Sequence, residues 1–186
     1  MAEARVEEQQ TRRLAPGEHD RLLDHLLRLD GEDRRLRFGG QVSDEHARPY
    51  CARLDLRRSV TLGWFVAGEL RAVGELKPID GARAAELAVS VERPFQGRGI
   101  GTELCRRLIV RARNRLVAKV YMLCLPYNRR MQRIARGLGG ALAFHPGEAE
   151  ARLDLPWPDL LTGAEEWLDE AAAVLLPRVG TVSSRP

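Results

Sequence analysis

The 186-residue sequence has almost no lysine: Lys77 and Lys119 stand alone among 30 basic residues. Arginine carries the positive charge, and its planar fork suits fixed contacts with carboxylates and phosphates. Cysteine is scarce and odd in number. Cys51, Cys105 and Cys124 are widely spaced, with no CxxC and no histidine pairs nearby, so neither a disulfide framework nor a metal site is expected. No apolar run approaches the roughly 18 residues of a membrane span. Glu3, Glu7 and Glu8 occupy the stretch where a signal peptide would be basic and then apolar. The expectation is a cytoplasmic protein with no membrane partner. With 17 glycines and 10 prolines, collagen-like and low-complexity chains are excluded, and the length suits one domain with a real core.

What is present is an uneven charge. The net charge is +4, yet between Arg93 and Arg136 eleven arginines and Lys119 face Glu103 alone. A block of this kind can meet nucleic acid, a phosphorylated cofactor or an acidic partner. Nucleic acid is disfavoured, because the segment's only aromatics, Phe95, Tyr121 and Tyr127, form no stacking platform.

Residues 1–10 are polar and unpatterned and read as a flexible arm, with a first strand beginning within Thr11–Ala15. Leu22, Leu23, Leu26, Leu27 and Leu29 recur on a helical stripe that ends at Asp30-Gly31. A short turn through Leu36–Gly40 leads to Ser43, which opens a helix to about Leu54, so two helices precede the sheet. Val60 to Val66 and Leu70 to Leu76 read as a hairpin about Ala67-Gly68, Pro78–Arg83 as a loop, and Ala84–Val91 as a third strand. A helix after Gly101 turns Leu104, Cys105 and Leu108 inward and Arg106, Arg107, Arg111 and Arg113 outward. Val120–Leu125 is a strand, Asn128 opens a helix, and Leu142 to Leu155 closes the domain as a hairpin. After Pro156-Trp157-Pro158, Thr162 and Glu165 have the spacing of a capping box. Trp167, Leu168, Ala171, Val174 and Leu175 follow as the apolar stripe of an added helix, and Arg178–Pro186 reads as loose. Such a stripe must be covered by its own core or by a second copy in a homodimer.

The chemistry concentrates in Gln96-Gly97-Arg98-Gly99-Ile100-Gly101-Thr102. Alternating glycines between a strand and a helix let the backbone lie against a ligand, and free amides at the helix start favour an anion such as pyrophosphate. A Walker loop is excluded because no lysine follows the last glycine, and the Gly-x-Gly-x-Gly spacing is wrong for a dinucleotide fingerprint.

The segments AELAVSVERPFQGRGIGTELCRRLIVRAR and VYMLCLPYNRRMQRIARGLGG resemble the strand-loop-helix core and the following strand and helix of the GCN5-related N-acetyltransferase (GNAT) superfamily. A weaker likeness, in LRFGGQVSDEHARPYCARL, is to the acetyltransferase domain of bacterial protein lysine acetyltransferases. The resemblance implies an α/β (α+β) fold: a mixed, mostly antiparallel sheet flanked by helices over residues 11–155, with residues 156–186 as a C-terminal extension. It implies acetyl-CoA as acyl donor, its pyrophosphate on the amides from Gln96 through Gly97, Arg98, Gly99, Ile100 and Gly101 to Thr102. The backbone of Val89, Ser90 and Val91 and the side chain of Asn128 would hold the pantetheine, with Arg129, Arg130 and Arg133 near the ribose phosphate.

The resemblance also implies a base, Glu86, ten residues before Gln96, which would take a proton from the acceptor amine. The tyrosine that many relatives use to protonate the thiolate would fall at Ala135. Tyr127 is the nearest candidate in sequence, with Ser90, Cys124 and His145 as substitutes. His19, His25 and His46 read as helix-surface residues. The expected function is N-acetyl transfer to an amine of a small molecule or protein; the alternative is an acyl-CoA-binding or sensing module without turnover.

Overall fold

The computed structural model describes residues 7–79, 83–175 and 178–180. Strands β1 (Glu7–Arg13), β2 (Val60–Val66), β3 (Glu69–Ile79), β4 (Ala84–Val91), β5 (Lys119–Cys124), β6 (Ala141–His145), β7 (Glu148–Asp154) and β8 (Arg178–Gly180) form one sheet. Its order is β6-β7-β5-β4-β3-β2-β1-β8. Every neighbouring pair is antiparallel except β4 and β5, which are joined by the crossover helix α4 (Ile100–Asn114) as a parallel pair requires.

Helices α1 (His19–Arg28), α2 (Gly31–Phe38) and α3 (Asp44–Arg53) cover one face, and α4 and α5 (Arg129–Gly137) the other. Leu22, Leu26 and Cys51 pack against Phe65, Leu70 and Val73 on the first face. Leu104, Cys105, Leu108 and Ala112 pack against Leu62, Leu76, Leu87 and Val120 on the second. Strand β2 is buried along its whole length, as a strand covered on both faces must be. Gly74 is required here: a Cβ on it would stand 2.8 Å from Leu108 Cδ1. Its absence lets α4 lie close to the sheet and bury Leu108, a contribution of about 1.5–3 kcal/mol.

Several expectations change. The first strand begins at Glu7, pairing Gln9 and Gln10 with Val66 and Phe65, so residues 7–10 of the expected arm are strand, while residues 1–6 lie outside the described residues. Three helices precede β2, because the expected turn through Leu36–Gly40 is the end of α2. Asp30 does not merely end α1; its side chain accepts from the Asp33 amide and caps α2, and Gly39 closes that helix at φ 72°. Most of the expected loop at Pro78–Arg83 is narrower, since Pro78 and Ile79 still pair with Ala85 and Ala84, while 80–82 lie outside the described residues. Arg178–Gly180, expected to be loose, pairs with β1.

The largest correction concerns the extension. Helix α6 (Leu160–Leu175) starts one turn earlier than expected: Asp159 Oδ1 accepts from the Thr162 amide at 2.9 Å and Thr162 Oγ1 from the Asp159 amide at 3.1 Å. Glu165 is thereby released from the expected cap and pairs with Arg106. The helix lies along α4 with its acidic edge inward. Asp169 meets Arg107 at 3.4 Å and Arg111 at 3.3 Å, Glu166 meets Arg115 at 2.8 Å, and Asp159 meets Arg113 at 2.9 Å. Arg107 and Arg111, expected on a solvated face, are buried. Trp167 is 69% and Leu168 58% exposed, so this part of the apolar stripe points away from the chain's own core. The side chains of Val174 and Leu175 lie outside the described residues.

Removing one partner of a buried ion pair strands the other, at a cost of about 3–5 kcal/mol. Asp169 serves two buried guanidiniums, so Asp169→Asn should lower the urea unfolding free energy by about 3 kcal/mol. An unchanged midpoint would mean that α6 contributes no stability through this edge.

Candidate active site

Strands β4 and β5 pair only at Ala84–Glu86 with Lys119–Tyr121. Beyond that point β4 stays on β3 as far as Val91 and β5 stays on β7, so the sheet opens into a notch. The Glu92 amide bonds Arg71 O on the β3 side. Strand alternation then turns the amides of Val89 and Val91 toward the opened side.

A cavity of about 910 Å³ occupies the notch. Its walls include Val89, Ser90, Val91, Gln96, Gly97, Gly99, Ile100, Gly101, Thr102, Asn128 and Arg130, which the structure thus brings together. Gly97 and Gly99 have φ 75° and 81°, the left-handed region that favours glycine, and Gly99 is the N-cap of α4. The free amides of the α4 start therefore border the cavity. Gln96 Nε2 donates to Val91 O at 2.9 Å, and Arg130 donates to Gln96 Oε1, tying the turn between β4 and α4 to helix α5. Asn128 Oδ1 accepts from the Met131 amide at 3.1 Å and caps α5. Arg98 lies off the cavity wall; its guanidinium donates to Pro94 O and stacks near the Phe95 ring. These residues suit the diphosphate and amide-bearing arm of a CoA thioester: backbone donors, a helix start and two arginines, Arg130 and Arg133, around one opening.

Glu86 is the last residue of β4 paired with β5, in register with Lys77 and Tyr121, on the face turned toward the helices α1–α3, and it is not on the cavity wall. It is partly exposed and, among the described residues, makes no hydrogen bond or ion pair. Tyr127 is 49% exposed, lies beside Arg35 and is not on the cavity wall. Ala135 is buried in the core. Cys124 is buried, and burial raises its thiol pKa; His145 lies on strand β6, away from the cavity wall.

Sequence reasoning missed α2 and what it carries. Asp33, Leu36 and Arg37 form the wall opposite the glycine turn. Arg37 bonds Glu75 Oε1 at 2.5 Å and Tyr50 Oη at 2.9 Å, and Tyr50 donates to Glu75 Oε2 at 2.6 Å. Burial alone would lower the Arg37 pKa, and Glu75 more than reverses it; burial also pushes the Tyr50 phenol up. The missed signal was Asp30 three residues before Asp33, a cap followed by an acidic first turn. His25, expected on a helix surface, is fully buried, its ring between Ser90 Oγ at 2.9 Å and Glu92 Oε1 at 3.2 Å. Glu92 also binds Arg28 and Arg71.

The family model described as "Acetyltransferase (GNAT) family" matches residues 23–139. The chain belongs to that family, whose chemistry is acyl transfer from acetyl-CoA. Solved structures share the fold. The GNAT domain of S. lividans PAT is 22% identical with a TM-score of 0.67, covering 81% of this chain and 94% of that one. A ribosomal-protein-alanine N-acetyltransferase from Brucella melitensis is 19% identical with a TM-score of 0.62, covering 78% and 99%. RimL, a ribosomal alpha-N-protein acetyltransferase solved in complex with coenzyme A, is 17% identical with a TM-score of 0.59, covering 80% and 94%. No curated protein matches the sequence. Among the described residues no helix is long and apolar enough to cross a membrane.

Burial holds the His25 pKa below its ordinary value, against the pull of Glu92. A depressed folded pKa means that stability is full above the unfolded value of about 6.5 and is lost as pH falls through it. Glu92 is also depressed, by its bonds from His25 and Arg28 outweighing burial, but acts only nearer pH 4. The unfolding free energy should therefore fall between pH 7 and 5 by at most about 1.4 kcal/mol per unit, one proton's worth. In His25→Gln that slope should flatten; a flat wild-type profile would contradict the assignment.

Proposed function

We propose that the chain transfers an acetyl group from acetyl-CoA to an amine of a small molecule or protein, with Glu86 as the base. The observation that carries this reading is the notch: β4 parts from β5 just beyond Glu86, a carboxylate unpaired among the described residues, and the cavity that opens there is walled by the glycine turn at a helix start.

In this reading the amides from Gln96 to Thr102 hold the pyrophosphate, and Arg130 and Arg133 meet the remaining phosphate charge. The pantetheine lies along Val89, Ser90 and Val91 beside Asn128. Glu86 takes a proton from the acceptor ammonium, and the freed amine attacks the thioester carbon. The amides of Val89 and Val91 face the oxygen on which charge develops, where preorganised donors are most effective. The carbon–sulfur bond then breaks and the thiolate leaves. Tyr127 is a poor donor to it where it stands, so the thiolate takes its proton from the surroundings of the notch.

The cytoplasm of a bacterium is the proposed location, and nucleic acid is not a proposed partner. Arg106, Arg107, Arg111, Arg113 and Arg115 are neutralised by α6 and its Asp159 cap, which removes the basic stripe that a nucleic acid would need. A homodimer through α6 belongs to the same reading, since Leu160, Leu161, Trp167 and Leu168 are all exposed. Light scattering at high micromolar concentration should report a dimer, and a monomer there excludes it.

One paired experiment tests the catalytic reading against a sensing module. Gly101→Glu places a carboxylate beside Val91 and Ile134 in the cavity wall and should abolish acetyl-CoA binding by calorimetry. Glu86→Gln should keep binding and lower turnover with an amine panel by about 10²–10⁴. Binding without wild-type turnover on any amine would favour the sensing alternative, and unchanged turnover in Glu86→Gln would remove the base from this residue.

A further inference from the structure

In the amine transfer described above, the side chains of Ser90, His25 and Glu92 carry no step. Ser90 lines the cavity, and its Oγ lies 2.9 Å from His25 Nε2. His25 Nδ1 lies 3.2 Å from Glu92 Oε1. Arg28 donates to that same carboxylate at 2.9 Å and Arg71 at 3.0 Å, so Glu92 is an acceptor on every side. The tautomer follows: Nδ1 carries the proton toward Glu92, and Nε2 presents its lone pair to the Ser90 hydroxyl. A hydroxyl, an imidazole and an orienting carboxylate in that order make an activated nucleophile.

We propose that, without an amine, Ser90 takes the acetyl group itself, giving the protein an acyl-CoA hydrolase activity that passes through an acetyl-Ser90 ester. The proposal rests on the reading that the notch binds acetyl-CoA. Ser90 Oγ attacks the thioester carbon while its proton moves to His25 Nε2. The amides of Val89 and Val91, on either side of Ser90, face the oxygen that gains charge. The carbon–sulfur bond breaks, and the thiolate takes the proton from His25 and leaves as free CoA thiol. A solvent water then attacks the ester carbon, passing its proton to His25. The ester bond to Oγ breaks, His25 returns the proton to Ser90, and acetic acid leaves and ionises. Acetyl-CoA and water are consumed, and acetate, CoA thiol and one proton are formed.

The surroundings fit a base. Burial keeps the imidazole neutral near pH 7, ready to accept the hydroxyl proton. His25 is fully buried on α1, and Glu92 is itself fixed by two arginines, so the ring has no room to turn away. Ser90 has no hydrogen-bond partner for its hydroxyl other than His25 among the described residues.

The test uses the full chain with acetyl-CoA and no amine, following thiol release and mapping acetylated peptides after acid quench. Thiol release above the buffer rate, with an acetyl mark on Ser90, is the expected result. Ser90→Ala should remove both, and His25→Gln should lower thiol release by about 10² or more. Calorimetry separates the two levels of failure. If acetyl-CoA binds and no thiol is released above the buffer rate, or release survives in Ser90→Ala, the serine proposal is overturned and the transfer reading stands. If acetyl-CoA does not bind, both fall. Should a variant fail to melt cooperatively, the wild-type map decides: a mark on Ser90 supports the proposal, and a mark elsewhere or none overturns it.

Discussion

The parting of β4 from β5 after Glu86 and Tyr121 is the constraint from which the site follows. A parallel pair that closed over its full length would spend the amides of Val89 and Val91 on sheet bonds. Because it stops after three residues, the end of β4 lacks a neighbour on one edge and needs support from elsewhere. Glu92 gives that support. Its amide stays on β3 through Arg71 O, and its carboxylate gathers His25, Arg28 and Arg71 from the helix and strand on either side. The buried network beneath the notch is thus the counterpart of the missing sheet bonds, and it explains why so polar a cluster is worth desolvating.

The same logic governs the arginines. A segment with a local charge near +11 reads as one anion-binding surface, yet the fold divides it in two. The five arginines of α4 and its end meet Asp159, Glu165, Glu166 and Asp169. Arg130 and Arg133 on α5 are left at the cavity. With +4 over the whole chain and +11 in this segment, the rest of the sequence carries −7, and the acids of α6 account for much of it. Charge that is complementary across two helices in one chain is indistinguishable, in a linear count, from charge awaiting a ligand.

Much of the fold was legible because its signals are local. The hairpin at Ala67-Gly68, the glycine turn, the Asn128 cap and the β6–β7 hairpin each depend on residues within a few positions of one another. Helix α2 was not legible, since GEDRRLRF offers only Leu36 and Phe38 as apolar residues and buries none of its eight residues fully. It is held by Arg37 reaching Glu75 and Tyr50, partners 38 and 13 residues away. His25 was misplaced for a related reason: it lies among leucines that mark the inner face, and only its polar side chain argued for solvent. The turn from Gln96 to Thr102 was found because glycine spacing reports backbone conformation directly, whereas Val89, Ser90, Val91 and Asn128 came from the family resemblance. Those that act through side-chain partners, Ser90 with His25 and Glu92, span more than sixty residues of sequence.

Two glutamates on the same face of the sheet show how placement alone separates a carboxylate that holds the fold from one that holds nothing. Glu75 and Glu86 lie on neighbouring strands, with Ala88 and Lys77 as their respective partners across β3 and β4. Glu75 is 1% exposed, and both its oxygens are taken, one by Arg37 and one by the Tyr50 hydroxyl. Replacing it with an apolar side chain would strand a buried guanidinium, a penalty of several kcal/mol. Glu86 stands where β4 and β5 part, with neither oxygen taken among the described residues, so no packing bond depends on it. The closed pair also holds α2 against the sheet and keeps Arg37 on the cavity wall facing the glycine turn. One glutamate therefore shapes the cavity wall through Arg37, while the other, at the edge where the sheet opens, can be changed without loosening α2.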